Sequence, residues 1–264
     1  RLKQFSQAEQ NLRQADQLLS AGLSKTDLLL AAGFVNFMQQ KYPAAFYWYQ
    51  CSARFDLPPI EQARVGTSLG QISYMQGDFT AAKIHFEQSL TAATLYKQAA
   101  LVALLQNNLG LVLWRQQQYQ PALARLRQAM YGYTQLQEPY SLQMASLNLL
   151  TVVVAQQDWP AFDRFAAGIS KSIDDKAPAE LQNYLTLLQA LRQAARPLQS
   201  AEVEHLQQLA APLQIPGLVQ NAALLLQQAG AGNGITTPPA LDPQQDLRLP
   251  QLEQHCGLYG SAGG

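Results

Sequence analysis

The sequence predicts an all-α protein in which antiparallel helix pairs stack one after another. Three observations lead there. One pattern of residues is written twice, forty positions apart, between Gly66 and Met130. Each copy breaks in the middle with residues suited to end one helix and start the next. Weaker versions of the pattern lie on both sides of the clear copies.

The first clear copy is Leu69-Gly70, then Tyr74, Phe79 and Ala82. The second is Leu109-Gly110, then Trp114, Tyr119 and Ala122. The order has a packing reason. A Leu and a Gly on the first helix let the second approach closely. Gly77 can take the positive φ that closes a helix, and Asp78 can cap the next one. Phe79 or Tyr119 plugs the joint, and Ala82 or Ala122 leaves room where the helices cross. One such pair cannot bury its apolar face alone, so pairs must stack.

This spacing resembles the tetratricopeptide repeat, a helix-turn-helix unit. The linkers lack the Pro of the usual 34-residue form, so the pattern is similar to the 40-residue variants of the kinesin light chain and Pins-type scaffolds. The resemblance implies a right-handed superhelical solenoid whose first helices line a concave groove.

In chain order, residues 1–19 read as the second half of a repeat, with Phe5, Ala8 and Leu12 in the places of Phe79, Ala82 and Phe86. Thr26 or Asp27 can cap the next helix. The first complete unit spans 27–55, with Gly33, Phe37, Tyr42 and Ala45 in register; Pro43 falls in the first turn of its second helix, where a missing N–H costs nothing. Units follow at about 61–93 and 96–133. The unit at 140–170 is degenerate: Leu149-Leu150 replaces Leu-Gly, and Phe162 replaces the Ala, which predicts a splayed or shifted pair. Residues 178–229 close the repeat domain, with a capped start expected at Ser200 and Glu202. Residues 230–264 hold seven Gly and four Pro and read as a flexible tail; within it, Leu247–Leu258 has the composition of a short helix or docking peptide.

Composition limits the function. The 264 residues have a formal net charge of zero and only 14% charged residues, against nucleic-acid binding, which needs a basic excess. No apolar run is long enough to span a membrane. The chain opens in mid-helix without a signal peptide, as a fragment or processed form would. Cys51 and Cys256 stand far apart and suggest neither a disulfide framework nor a metal site; Cys51 reads as a small core residue. His85, His205 and His255 lack partners at metal or catalytic spacing, and His255-Cys256 is a weak metal pair. Asp174-Asp175 reads as a capping pair. There is no phosphate loop, nucleophile elbow or zinc spacing, so no enzyme, metal or cofactor is expected.

What remains is a surface. By the resemblance, the groove carries Leu30, Phe34, Phe37 and Met38; then Arg64, Thr67, Gln71, Tyr74 and Met75; then Asn107, Asn108, Leu111, Trp114 and Arg115; then Leu147, Asn148 and Thr151. Asn108-Leu109-Gly110 matches the position at which related repeats hold a peptide backbone with a side-chain amide, a group that both donates and accepts. Asn148 stands at the equivalent place forty residues on, whereas the earlier units have Ala31 and Ser68 there. Aromatics, Met and Arg are enriched at interface centres, which favours Phe37, Met38, Tyr74, Trp114 and Arg115. The paired-Lys clamp of chaperone-tail binders is absent.

The expected function is a non-enzymatic scaffold for an extended peptide or protein segment. Two alternatives are a regulatory peptide sensor and a bacterial accessory protein of pilus or polysaccharide export. Self-association and docking of the tail are further partner expectations. The compartment, cytoplasmic or periplasmic, is left open.

Overall fold

A computed structural model describes residues 2–19, 24–174, 176–194, 198–231 and 249–256. Among these the only regular elements are helices: α1 Leu2–Gln17, α2 Lys25–Met38, α3 Tyr42–Ser52, α4 Pro59–Met75, α5 Phe79–Leu95, α6 Ala99–Arg115, α7 Tyr119–Gln135, α8 Pro139–Ala155, α9 Trp159–Ser172, α10 Ala179–Gln193, α11 Ser200–Ala210, α12 Pro216–Ala229 and α13 Pro250–Cys256. They fall into two compact units, one of α1 to α5 with α13, the other of α6 to α12.

Helices α4 to α8 each have 17 residues. The joint that follows each of them has one geometry. The residue after each C-cap takes positive φ: Gly77 at 85°, Lys97 at 55°, Gln117 at 60°, Gln137 at 55° and Gln157 at 57°. At the α6–α7 joint, the Gln117 N–H donates to the Trp114 carbonyl and the Gln118 N–H to the Leu113 carbonyl, each at 2.8 Å. These bonds satisfy the orphan carbonyls of the ending helix. A side chain in the left-handed region costs roughly 1–2 kcal/mol, so the joint outweighs local preference at four of these five places. Helix α5 starts where the sequence placed its cap, Asp78 Oδ1 accepting from the Ala81 N–H at 2.9 Å, and Asp158 caps α9 in the same way, its Oδ1 accepting from the Ala161 N–H at 3.1 Å. Two caps differ from expectation. Ser24, not Thr26 or Asp27, caps α2, and Gln199 precedes α11 with Glu202 accepting from its N–H at 2.9 Å.

The glycines do what the pattern requires. A Cβ on Gly70 would lie 2.6 Å from the Phe86 ring, and one on Gly110 would lie 2.6 Å from Leu126 and 3.2 Å from the Ala122 carbonyl. In the degenerate pair, Leu150 and Phe162 are both buried, and α9 packs less closely on α8 than α7 does on α6.

In the first unit, Ala45, Tyr49, Leu57, Val65, Leu69 and Ile72 form one core between α2, α3 and α4. Glu9 ties α1 to the end of α2, accepting from Gln39 Nε2 at 2.8 Å and lying 3.6 Å from Lys41 Nζ. A second core contains Leu12, Leu19, Leu28, Leu29, Trp48 and Cys51 together with Leu249, Leu252 and Cys256 of the C-terminal stretch. Cys51 and Cys256 are joined in a disulfide. Their separation in sequence suggested no pairing; the fold returns the C-terminal helix to α1 and α3, which separation cannot reveal. Cross-linking residues 205 apart removes loop entropy worth about 5 kcal/mol from the unfolded chain. A seven-residue helix is too short to persist in water by itself, so α13 depends on its docking. The flexible-tail expectation for 230–264 therefore does not describe Leu249–Cys256, whereas the short-helix reading of that stretch does; most of the remaining tail, and the His255 side chain of the weak metal pair, lie outside the described residues.

In the second unit, one large core runs from Leu113 to Ala231. Helix α8 sits at its centre and touches α6, α7, α9, α10 and α12. Every residue from Ala145 to Val154 is buried. Asp174 Oδ1 accepts from the Lys176 N–H at 3.0 Å, a local loop role; Asp175 is outside the described residues.

Candidate partner-binding face

The repeat register assigns equivalent positions on each first helix. Counted from Gly33, Gly70, Gly110 and Leu150, they are Asp27, Ala31, Phe34 and Met38 on α2; Arg64, Ser68, Gln71 and Met75 on α4; Leu104, Asn108, Leu111 and Arg115 on α6; and Met144, Asn148, Thr151 and Ala155 on α8. Steps of four, three and four keep each set on one side of its helix.

The stripes differ in cover. On α2 all four residues are exposed, with Phe34 at 56% and Met38 at 43%. On α4, Arg64 is exposed and held 2.9 Å from Glu61, while Ser68, Gln71 and Met75 are half-buried. On α6 all four residues are half-buried. On α8, Asn148 is 3% exposed and Thr151 is fully buried, because α10 and α12 pack over that side.

A chain of amides marks the transition within the second unit. Asn107 Nδ2 donates to Asn108 Oδ1 at 3.4 Å. Asn148 Nδ2 donates to Asn107 Oδ1 at 3.0 Å, and Asn221 Nδ2 of α12 donates to Asn148 Oδ1 at 3.4 Å. Thr151 Oγ1 donates to the Leu147 carbonyl and lies 2.8 Å from the Tyr184 hydroxyl of α10. The chain ends with open valences: Asn221 Oδ1 has no donor and Asn108 Nδ2 no acceptor. An enclosed unpaired amide costs about 1–3 kcal/mol.

Of the residues predicted to bind, Asn107, Asn108, Gln71, Arg64, Arg115, Phe37 and Met38 keep some exposure. Phe37 leans on Tyr42, the ring centroids 5.8 Å apart. Four residues are corrected. Thr67 is buried and donates to the Ala63 carbonyl at 2.7 Å. Tyr74 is buried edge-on against Phe79, centroids 5.5 Å apart. Trp114 is packed into the core of the second unit. Asn148 serves the interior amide chain. Thr67, Tyr74 and Trp114 each stand one position before a stripe residue, about 100° around the helix, and face the neighbouring helix, whereas Asn148 is on the stripe but lies under α12. Leu147 and Thr151, placed in the groove with them, are buried as well. Asn221 was missed in the sequence, although an Asn among Leu218, Ala222 and Leu225 on an apolar helix is the mark of a paired interior amide.

The titration behaviour of the fold lies away from these stripes. Burial pulls His85 below the ordinary imidazole range, opposed by the charge of Asp78. Burial, helped by the Glu138 charge, pushes Tyr133 up to about 12. Among the described residues, no group of three or more His, Cys, Asp or Glu side chains could hold a metal ion, and no helix is long and apolar enough to cross a membrane.

A family model described as tetratricopeptide repeat matches residues 61–135. The α4–α7 segment is a run of tetratricopeptide repeats. No curated protein matches the chain. Among solved structures, the apo form of RapI is 15% identical, with a TM-score of 0.64 over 82% of this chain and 75% of that one. BtubC (BKLC) from P. vanneervenii is 13% identical, with a TM-score of 0.57 over 91% of this chain and 95% of that one. These likenesses extend the tetratricopeptide-like helical-repeat fold beyond the matched segment. Such repeats form protein-interaction scaffolds, and this chain has that architecture.

Proposed function

We propose that the chain is a non-enzymatic scaffold holding an extended segment of a protein partner across the α6 stripe. Asn108 provides the backbone-reading amide, with Asn107 beside it. Leu104 and Leu111 provide apolar contact, and Arg115 closes the far end with a positive charge. The stripes of α2 and α4 offer the same kind of surface in the first unit, through Phe34, Phe37, Met38, Arg64 and Gln71.

The observation that supports this reading is the contrast in cover at one repeat position: Asn108 is half-buried on the α6 stripe, whereas Asn148 on α8 is enclosed. Asn108 Nδ2 is itself enclosed and without an acceptor, and Oδ1 takes only a long bond from Asn107, so in this reading the amide turns outward to offer a peptide backbone both its donor and its acceptor. The same stripe on α8 has no such role, since the chain's own helices fill it.

The test is partner capture from the native extract with wild type and with Asn108→Ala. A partner retained by wild type and lost from the variant, with unfolding unchanged, supports the reading. A partner kept equally by both overturns it.

A further inference from the structure

The C-terminal stretch is seated on the first unit by more than apolar contact. Leu249, Leu252 and Cys256 are each at most 1% exposed, packed with Leu12, Leu19, Leu28 and Trp48. The Leu252 N–H donates to the buried Asp16 carboxylate at 2.8 Å. Arg54 Nη1 donates to the Cys256 carbonyl at 2.6 Å. The Cys51–Cys256 bond then fixes the last turn of α13 to the last turn of α3. Among the described residues neither cysteine is free.

We propose that this bond is a redox clasp: the chain matures where thiols are oxidised, and the disulfide state decides whether α13 covers the apolar floor of α1 and α3. Disulfides persist in oxidising compartments and are reduced in the cytosol. In the forming step, the thiolate of one cysteine attacks the disulfide of a dithiol oxidant and gives a mixed disulfide. The second cysteine displaces the oxidant as its dithiol, so two electrons and two protons leave the pair. A reducing dithiol reverses the step. Reduction leaves a seven-residue helix, too short to hold its shape alone, with two leucines and two main-chain bonds to keep it in place. Its release uncovers Leu12, Leu19 and Trp48 as a face for a short amphipathic helix.

The test has two arms on the full chain. Protein taken from its native cells, acid-quenched and unfolded without reductant, is treated with iodoacetamide. Neither cysteine should be alkylated until dithiothreitol is added, and the disulfide should be intramolecular. Free thiols, or a disulfide between two chains, overturn the proposal. In the second arm, amide exchange is followed by mass spectrometry on the folded protein with and without dithiothreitol, and on Cys256→Ser without it. Exchange in 249–256 should rise by an order of magnitude or more, with smaller rises around Leu12–Leu19 and Trp48–Ser52 and none in 98–231. Leu252→Ala, which keeps both cysteines, should loosen α13 less than reduction does. Unchanged protection of α13 on reduction overturns the clasp.

Discussion

Helices α6 and α8 carry the same asparagine at the same place in the repeat, and its two copies have opposite surroundings. Asn108 is half-buried on its stripe, with an enclosed Nδ2 that has no acceptor. Asn148 is enclosed, bonded to Asn107 on one side and to Asn221 on the other. The residues three positions on differ in the same way: Leu111 is half-buried, and Thr151 is buried against Tyr184. The repeat register therefore fixes which side of a helix a residue takes. It does not fix what later covers that side. Here α10 and α12 pack over α8 and turn a binding position into an interior one.

The largest expected contrast comes from a charge placed at matched positions. Thr151→Arg buries a cation with no partner and should cost about 3–5 kcal/mol. Leu111→Arg, on the half-buried stripe where the long side chain can carry its charge out to water, should cost less, about 1 kcal/mol. Urea unfolding of the two variants reads the difference, and equal losses would break the comparison. A smaller effect is expected at the cover. Tyr184→Phe removes the hydroxyl bonded to Thr151 and should cost about 1 kcal/mol, which a thermal melt detects. The smallest effect should be the same in both helices. Gln117→Gly and Gln157→Gly each relieve a left-handed side chain and should each raise stability by up to about 1 kcal/mol. Matching gains would show that the two joints are alike and that the difference lies in the cover.

Much of this fold was legible in the sequence, because its determinants are local. Gly70 and Gly110 mark close helix crossings, Asp78 marks a helix start, and Leu150 with Phe162 marks the pair that packs less closely. The joints at Lys97, Gln117, Gln137 and Gln157 were less visible, since long side chains there adopt a backbone state usually signalled by Gly. The site was legible only in part. Asn108, Gln71 and Arg64 follow from the repeat, whereas the burial of Asn148 depends on Asn221, 73 residues away. The disulfide depends on residues 205 apart. Such pairings are set by how the last helices return to the earlier ones, and no local spacing encodes them.

The most direct test treats Asn108→Ala and Asn148→Ala as a matched pair, following unfolding in urea and partner capture in the same preparations. Asn148→Ala should lower stability by about 1–3 kcal/mol and leave capture intact when assayed well below its unfolding midpoint. Asn108→Ala removes an enclosed, unpaired donor, so it should leave stability unchanged or raise it by up to about 1–3 kcal/mol, and it should lose the partner. Equal stability losses, or capture that depends on Asn148 and not on Asn108, would contradict the assignment of the α6 stripe as the open face.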